Sequence, residues 1–269
     1  MKRSSDHPNI VLLSIDAEEF DVPKEQGVDI SLEDGMKVSI EGACHVLDIF
    51  KEAGVRATFF CTVTFAEHAP DVMKRIVAEG HEVASHGMVH WQPQASGIAE
   101  SKPRLEAISG KAVNGYREPR MLGTDDEVIE RAGFLYNSSL HPTFIPGRYM
   151  RFNIPRTPFR QGGVLQIPAS VTPGIRLPLF WLACHHYPQW FYKKMYLWTL
   201  HHDGLFTAYF HPWELYPLGD HPEWRIPYVI RRNSGEEMAR RLKTMIQTLK
   251  SDGAQFATFS EYVAQYHSE

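Results

Sequence analysis

The chain has 269 residues, 43% of them hydrophobic and 22% charged, and a net charge of −4. This is the composition of a soluble globular protein with a sizeable core, and the length fits two small domains or one α/β barrel. No basic block stands out, which argues against a nucleic-acid partner.

The charged start "MKRSSD" is followed by only six apolar residues before Asp16. That run is too short for a signal peptide or a membrane anchor and predicts a cytoplasmic protein. Cys44, Cys61 and Cys184 are scattered in apolar surroundings and read as small core residues of a reducing compartment.

In chain order, "NIVLLSI" is a continuous apolar run, as expected of a strand buried on both faces. "SIEGACHVLDIFKEAG" has helical spacing and ends on Gly54, a suitable cap. "RATFFCT" predicts a second strand, "PDVMKRIVAEG" a helix opened by Pro70, and "HEVAS" a third strand. Next come a weak helix "ESKPRLEAISG", a strand "AVNGYR", a helix "TDDEVIERAG" capped by Thr124, and a strand with its loop in "GFLYNSSL". Residues 143–166 are rich in Pro, Gly and Arg and predict loops with short strands. "LPLFWLACHHYPQWFYKKMYLWTL" reads as a core-packing helix pair, with contact to a membrane surface or a lipid-linked substrate as the alternative. "LFTAYF" is a late strand, "SGEEMARRLKTMIQTLKSDG" an amphipathic helix, and "AQFATF" a last strand before a terminal helix. With no repeat, low-complexity tract or long linker, residues 1–269 predict one domain. Its β-α alternation with about seven strands predicts a closed α/β barrel.

The polar residues fall at strand ends. Asp16 and Glu18 follow the first strand, His86 and His90 the third, Arg117 the fourth and His211 "LFTAYF". In a parallel barrel those ends form one rim, the one that carries active sites. The H-x3-H spacing of His86 and His90 puts both on one side of a turn or short helix, and two imidazoles with a carboxylate make a facial metal site with open positions. One of Asp16 and Glu18 then ligates while the other stays free as a base, kept ionised by Arg117. His211 is placed to supply a proton from the opposite side. Gly87 occupies the position where H-E-x-x-H chemistry needs a glutamate, and no G-x-S-x-G occurs, so a zinc protease and a serine hydrolase both fit poorly. His45, His81, His185, His186, His201 and His202 have no strand-end placement and read as structural.

The motifs "SIDAEEFD", "SHGMVHW", "GYREPRM", "YNSSLHP" and "YFHPWEL", in this order from Ile10 to about Phe259, resemble those of the polysaccharide deacetylases, the NodB-homology superfamily. The D-x-E first motif and the His-Pro-Trp-Glu last motif are most similar to the branch associated with exopolysaccharide biosynthesis. The resemblance implies a distorted (β/α)7-type barrel and metal-dependent removal of an N-acyl group, usually acetyl, from an amino sugar. By motif position it implies Asp16 as base, Glu18, His86 and His90 as ligands of a divalent metal (zinc by donor set), Arg117 as the residue steadying the base, the peptide N–H of Arg120 as oxyanion donor and His211 as acid. Trp213, Trp91 and Tyr116 are the candidates for walls of a sugar subsite. The implied partner is an N-acetylated amino-sugar glycan or a lipid-linked sugar. Two departures stand out: Ala17 separates the two carboxylates of the first motif, and Asn137 stands where the fourth motif usually has aspartate. The alternatives are an amidohydrolase of the same fold acting on a cyclic or non-carbohydrate amide, and a catalytically silent glycan-binding domain.

Overall fold

The computed structural model describes residues 8–121, 125–145, 149–150 and 152–266. Its strands are β1 (Ile10–Ala17), β2 (Thr58–Cys61), β3 (Glu82–Ser85), β4 (Gly115–Tyr116), β5 (Tyr136–Asn137), β6 (Phe144–Ile145), β7 (Tyr149–Met150), β8 (Phe159–Gln161), β9 (Val164–Gln166), β10 (Leu205–Phe210) and β11 (Gln255–Phe256). The helices are α1 (Val22–Glu25), α2 (Leu32–Ala53), α3 (Val63–His68), α4 (Pro70–Ala78), α5 (Gly97–Ser109), α6 (Asp126–Arg131), α7 (Trp181–His186), α8 (Gln189–Asp203), α9 (Tyr228–Arg231), α10 (Glu236–Ser251) and α11 (Phe259–Tyr266).

The main sheet runs β10-β1-β2-β3-β4-β5-β9-β8. Neighbours are parallel from β10 to β9, and only β8 turns back antiparallel on β9. Just past β9, the Ser170 N–H donates to the Thr207 carbonyl (2.9 Å) and the Thr207 N–H donates to Ser170 Oγ (2.8 Å). Those two bonds tie the far end of the sheet back to β10. The result is the expected distorted barrel, with one change of stave. "AQFATF" supplies only β11, which pairs with Ile10 and Val11 at the start of β1, while β9, from the segment expected to be mostly loop, completes the parallel set.

β1 is buried along its whole length. Val11, Leu13, Ile15 and Ala17 pack toward α2 and the other outer helices, whereas Ile10 and Leu12 share the barrel interior with Phe60, Ala84, Tyr136 and Phe259. Strand alternation therefore sends Leu12, Ser14 and Asp16 inward in turn, and the interior becomes polar toward the carboxyl rim. The opposite end is plugged by Phe259 at the start of α11, where the half-buried Glu82 carboxylate accepts bonds from Thr58, Tyr136 and Ser260.

The helices follow local rules. Gly54 closes α2 at φ +62°, as its position in the pattern predicts. Thr124 lies outside the described residues, and α6 is capped by Asp125, whose carboxylate accepts the Glu127 N–H. The aromatic stretch forms the helix pair α7 and α8, burying Cys184, Tyr192, Tyr196 and Leu200 against the core and leaving Trp190 and Trp198 exposed. Among the described residues, no helix is long and apolar enough to cross a membrane.

One close approach positions the site directly. Gly42 on α2 lies against Pro212, and a Cβ there would sit 1.9 Å from the Pro212 carbonyl oxygen. Because that oxygen is backbone, the helix and the turn after His211 would have to separate. Gly42→Ala is expected to cost about 1–3 kcal/mol, the usual range for overpacking, and to reduce turnover by displacing His211. Thermal melts beside activity check this; an unchanged melt would show that α2 yields without cost.

Candidate active site

Sheet register brings the site residues together. Ile15 pairs with Phe210, so Asp16 and His211 leave neighbouring strands side by side. Ser85 pairs with Tyr116, which does the same for His86 and Arg117. All four stand at carboxyl ends of parallel strands and are buried or nearly so.

His86 and His90 do not lie on a helix, contrary to one reading of their spacing. The segment is an irregular loop that turns at Gly87, at φ +78°, a conformation open to glycine at little cost. The loop is stapled to the start of α3: the His86 N–H donates to the Cys61 carbonyl, Val63 N–H to Gly87 and Thr64 N–H to Met88. The Glu19 carboxylate adds a second staple, accepting the His90 N–H (2.6 Å) and the Thr62 hydroxyl (2.8 Å). The two imidazoles end up nearly stacked, 5.9 Å apart.

Their protonation follows from their partners. His86 Nδ1 lies 2.8 Å from the Arg117 carbonyl and His90 Nδ1 lies 2.7 Å from Asp21 Oδ2. Both partners only accept, so each Nδ1 carries the proton and each Nε2 offers its lone pair. Both Nε2 atoms face the same Glu18 oxygen, at 3.1 and 3.2 Å. Glu18, His86 and His90 are the one group of metal-ligating side chains found among the described residues, with ligand atoms within 4.8 Å of one another. Three converging electron-pair donors repel one another unless a cation or protons lie between them, so the donor set fits a divalent ion. Burial alone would raise the Glu18 carboxyl, but His90, His86 and His211 hold it well below the ordinary carboxylate range. Burial pushes His90 down, and Glu18 and Asp21 outweigh it, leaving the ring at about 9.

Arg117 is buried and fully engaged. It donates to Asp16 Oδ1 (2.5 Å), Ser14 Oγ (2.9 Å), the Ser138 carbonyl (3.0 Å) and Ser138 Oγ (2.9 Å), and lies over the Phe60 ring. Asn137, the departure in the fourth motif, instead donates to Gln166 and accepts from Ser139. Its neighbour Ser138 does the work of holding Arg117. The other Asp16 oxygen faces His211 Nε2 across 4.0 Å.

His211 donates Nδ1–H to Glu214 Oε1 (2.9 Å), which also accepts the His211 peptide N–H (2.6 Å). Burial opposes a charged ring here, but the Glu214 bond together with Glu18 and Asp16 raises His211 above the ordinary histidine value. Trp213 stacks on His211 at 4.5 Å and donates its indole N–H to Glu18 Oε1 (3.2 Å).

Asp16, Glu18, His86, His90, Arg120, His211 and Trp213 line one pocket, walled also by Trp181, Val229 and Ile230. Arg120 and Met121 sit in the left-handed region, at φ 60° and 52°, a local strain of the kind that collects at functional sites. The Arg120 side chain turns to the rim, where it meets Asp21, Glu25 and the face of Trp91. Trp91 is therefore on the rim and outside the pocket lining. Tyr116 does not reach the pocket: one residue before Arg117 on the strand, it faces the opposite way, packs on Phe134 and donates to Glu118. The sequence reading missed Ser14, Glu19, Asp21, Ser138, His185 and Glu214. All but His185 lie inside the quoted motifs, in "SIDAEEFD", "YNSSLHP" and "YFHPWEL", so membership of a motif was their only signal.

Residues 22–135 match the family profile described as polysaccharide deacetylase. That match supports a polysaccharide deacetylase domain in this chain. The chain is 46% identical over 95 residues to a chitooligosaccharide deacetylase of Sinorhizobium fredii, a match covering 32% of this chain and 44% of the relative. It is 32% identical over 115 residues to a peptidoglycan deacetylase of Helicobacter pylori, covering 39% of each. The chain thus spans less than half the length of these curated relatives. In fold it is similar to a putative polysaccharide deacetylase from Mycobacterium smegmatis, with a TM-score of 0.70 at 17% identity over 99% of this chain and 93% of the other.

Proposed function

We propose that residues 1–269 form one deacetylase domain, a divalent-metal hydrolase that removes an N-acetyl group from an amino sugar of a glycan. The observation that carries this reading is the convergence of Glu18, His86 and His90 beside a buried carboxylate and an imidazole 4.0 Å apart. Names of the relatives that match, chitooligosaccharide and peptidoglycan deacetylase, support a glycan substrate. The D-x-E and His-Pro-Trp-Glu motifs favour the exopolysaccharide branch, and three free cysteines fit a cytoplasmic site of action.

Glu18, His86 and His90 would hold the ion, and zinc suits two imidazoles and one carboxylate. When bound, the ion supplies Lewis acidity and a water of lowered pKa. The chain does the rest. Asp16, oriented through Oδ1 by Arg117, accepts the proton of the attacking water at Oδ2. The Arg120 peptide N–H donates to the oxygen that becomes negative. His211, its Nδ1 occupied by Glu214, delivers the proton on Nε2 to the departing amine. Trp213 keeps Glu18 from rotating and forms the wall beside the acid.

The test is acetate release from a panel of N-acetylated oligosaccharides, with cyclic ureides and simple amides beside them. Turnover of the acetylated sugars is expected to disappear on chelation and return with added zinc. Turnover that survives metal removal, or is confined to the cyclic amides, would overturn the reading.

A further inference from the structure

Behind His211 lies a pair of side chains whose bonds fix their charges. His185 and Glu214 are both fully buried, and His185 Nε2 is 2.9 Å from Glu214 Oε2. The other nitrogen, Nδ1, is 2.7 Å from the Arg232 carbonyl. A carbonyl only accepts, so His185 Nδ1 carries a proton. Glu214 meanwhile accepts two bonds at Oε1, from the His211 peptide N–H and from Nδ1–H of its ring. With two donors on Oε1 and its carboxyl held below the ordinary carboxylate range, where burial raises it but the His185 and His211 bonds outweigh that, Glu214 is in the ionised form. His185 must then donate from Nε2 as well, and an imidazole that donates from both nitrogens is positively charged.

We propose that His185 is held as a buried imidazolium that neutralises Glu214, and that it thereby sets how readily His211 gives up its proton. The proposal rests on the assignment of His211 as acid. Glu214 orients the acid by hydrogen bonding, but a lone buried carboxylate would also bind the acid's proton too firmly, and an acid works best with its pKa near the operating pH. A fixed positive charge on the far side of Glu214 removes that excess while leaving the orienting bond in place. The surroundings of His185 support the charge. Arg241 on α10 donates to the Cys184 and His185 carbonyls and directs its Nε–H to Glu237, a carboxylate that Arg240 shares. Cys184 and His186 flank it on α7, and Trp181 meets both His185 and His211 edge-on. The groups around His211 are Asp16, Glu18 and Glu214, with the rings of Tyr209 and Trp213. His185 touches none of the reacting atoms and is a positioning residue.

The first experiment is nitrogen-15 NMR of the zinc-loaded, 15N-histidine-labelled protein. Both ring nitrogens of His185 are expected to carry protons sheltered from exchange. A neutral His185, with the shared proton on Glu214, would overturn the proposal. This measurement needs no turnover, so it decides the charge of His185 even if His211 proves not to be the acid. The second is His185→Gln, which can still donate to Glu214 but carries no charge. Its alkaline kcat limb is expected to move up by about one pH unit, with a several-fold lower kcat at neutral pH and KM and zinc content unchanged. A lower kcat with an unmoved limb would mean that His185 only packs, and would equally overturn the proposal.

Discussion

Asp16→Asn is expected to retain its metal and lose turnover by a factor of roughly 10²–10⁴, the range for a removed acid–base group. The same conservative change at Glu18 should fail differently. Asparagine at position 16 still accepts from Arg117 through its amide oxygen but cannot take a proton from water. Glutamine at position 18 offers a weak neutral oxygen where both imidazole Nε2 atoms and the Trp213 indole N–H now meet a carboxylate. Glu18→Gln should therefore bind metal more weakly, and excess zinc should restore part of its activity. Metal stoichiometry beside turnover for the two variants separates the roles. Loss of metal in Asp16→Asn with retention in Glu18→Gln would reverse the assignment.

His211→Asn should keep full metal content while turnover falls by roughly 10²–10⁴. The sign of the pH dependence follows from the bonds around the ring. Burial opposes the charged ring, but Glu214, Glu18 and Asp16 outweigh it and raise His211 above the ordinary histidine value, so if His211 is the acid the alkaline decline in activity is expected to be displaced to higher pH. In the variant that alkaline limb should vanish from the residual rate. Near-normal turnover in His211→Asn would mean that another group protonates the amine.

Much of this protein is written locally. Continuous burial of β1 follows from the apolar run "NIVLLSI", the ends of α2 and α4 from Gly54 and Pro70, and the strand-helix alternation from simple hydrophobic period. Asp16, Glu18, His86, His90, Arg117 and His211 were legible because strand ends in a parallel barrel share one rim, which turns a position along the chain into a position in space. What the sequence could not carry is whatever depends on partners distant along the chain. The seventh parallel stave came from Val164–Gln166 because its pairing with β5 and the bridge from Ser170 to Thr207 are long-range bonds without a local signature. Tyr116 left the site because a one-residue step on a strand reverses the face. Ser138 took hold of Arg117 where Asn137 turned away, and His185, an ordinary helical residue in the sequence, met Glu214 only through the packing of α7 against the turn after β10. Residue types and their order determined which chemistry the rim holds. Tertiary structure decided the charge and orientation of each group, because burial leaves a polar side chain only the partners that folding brings to it.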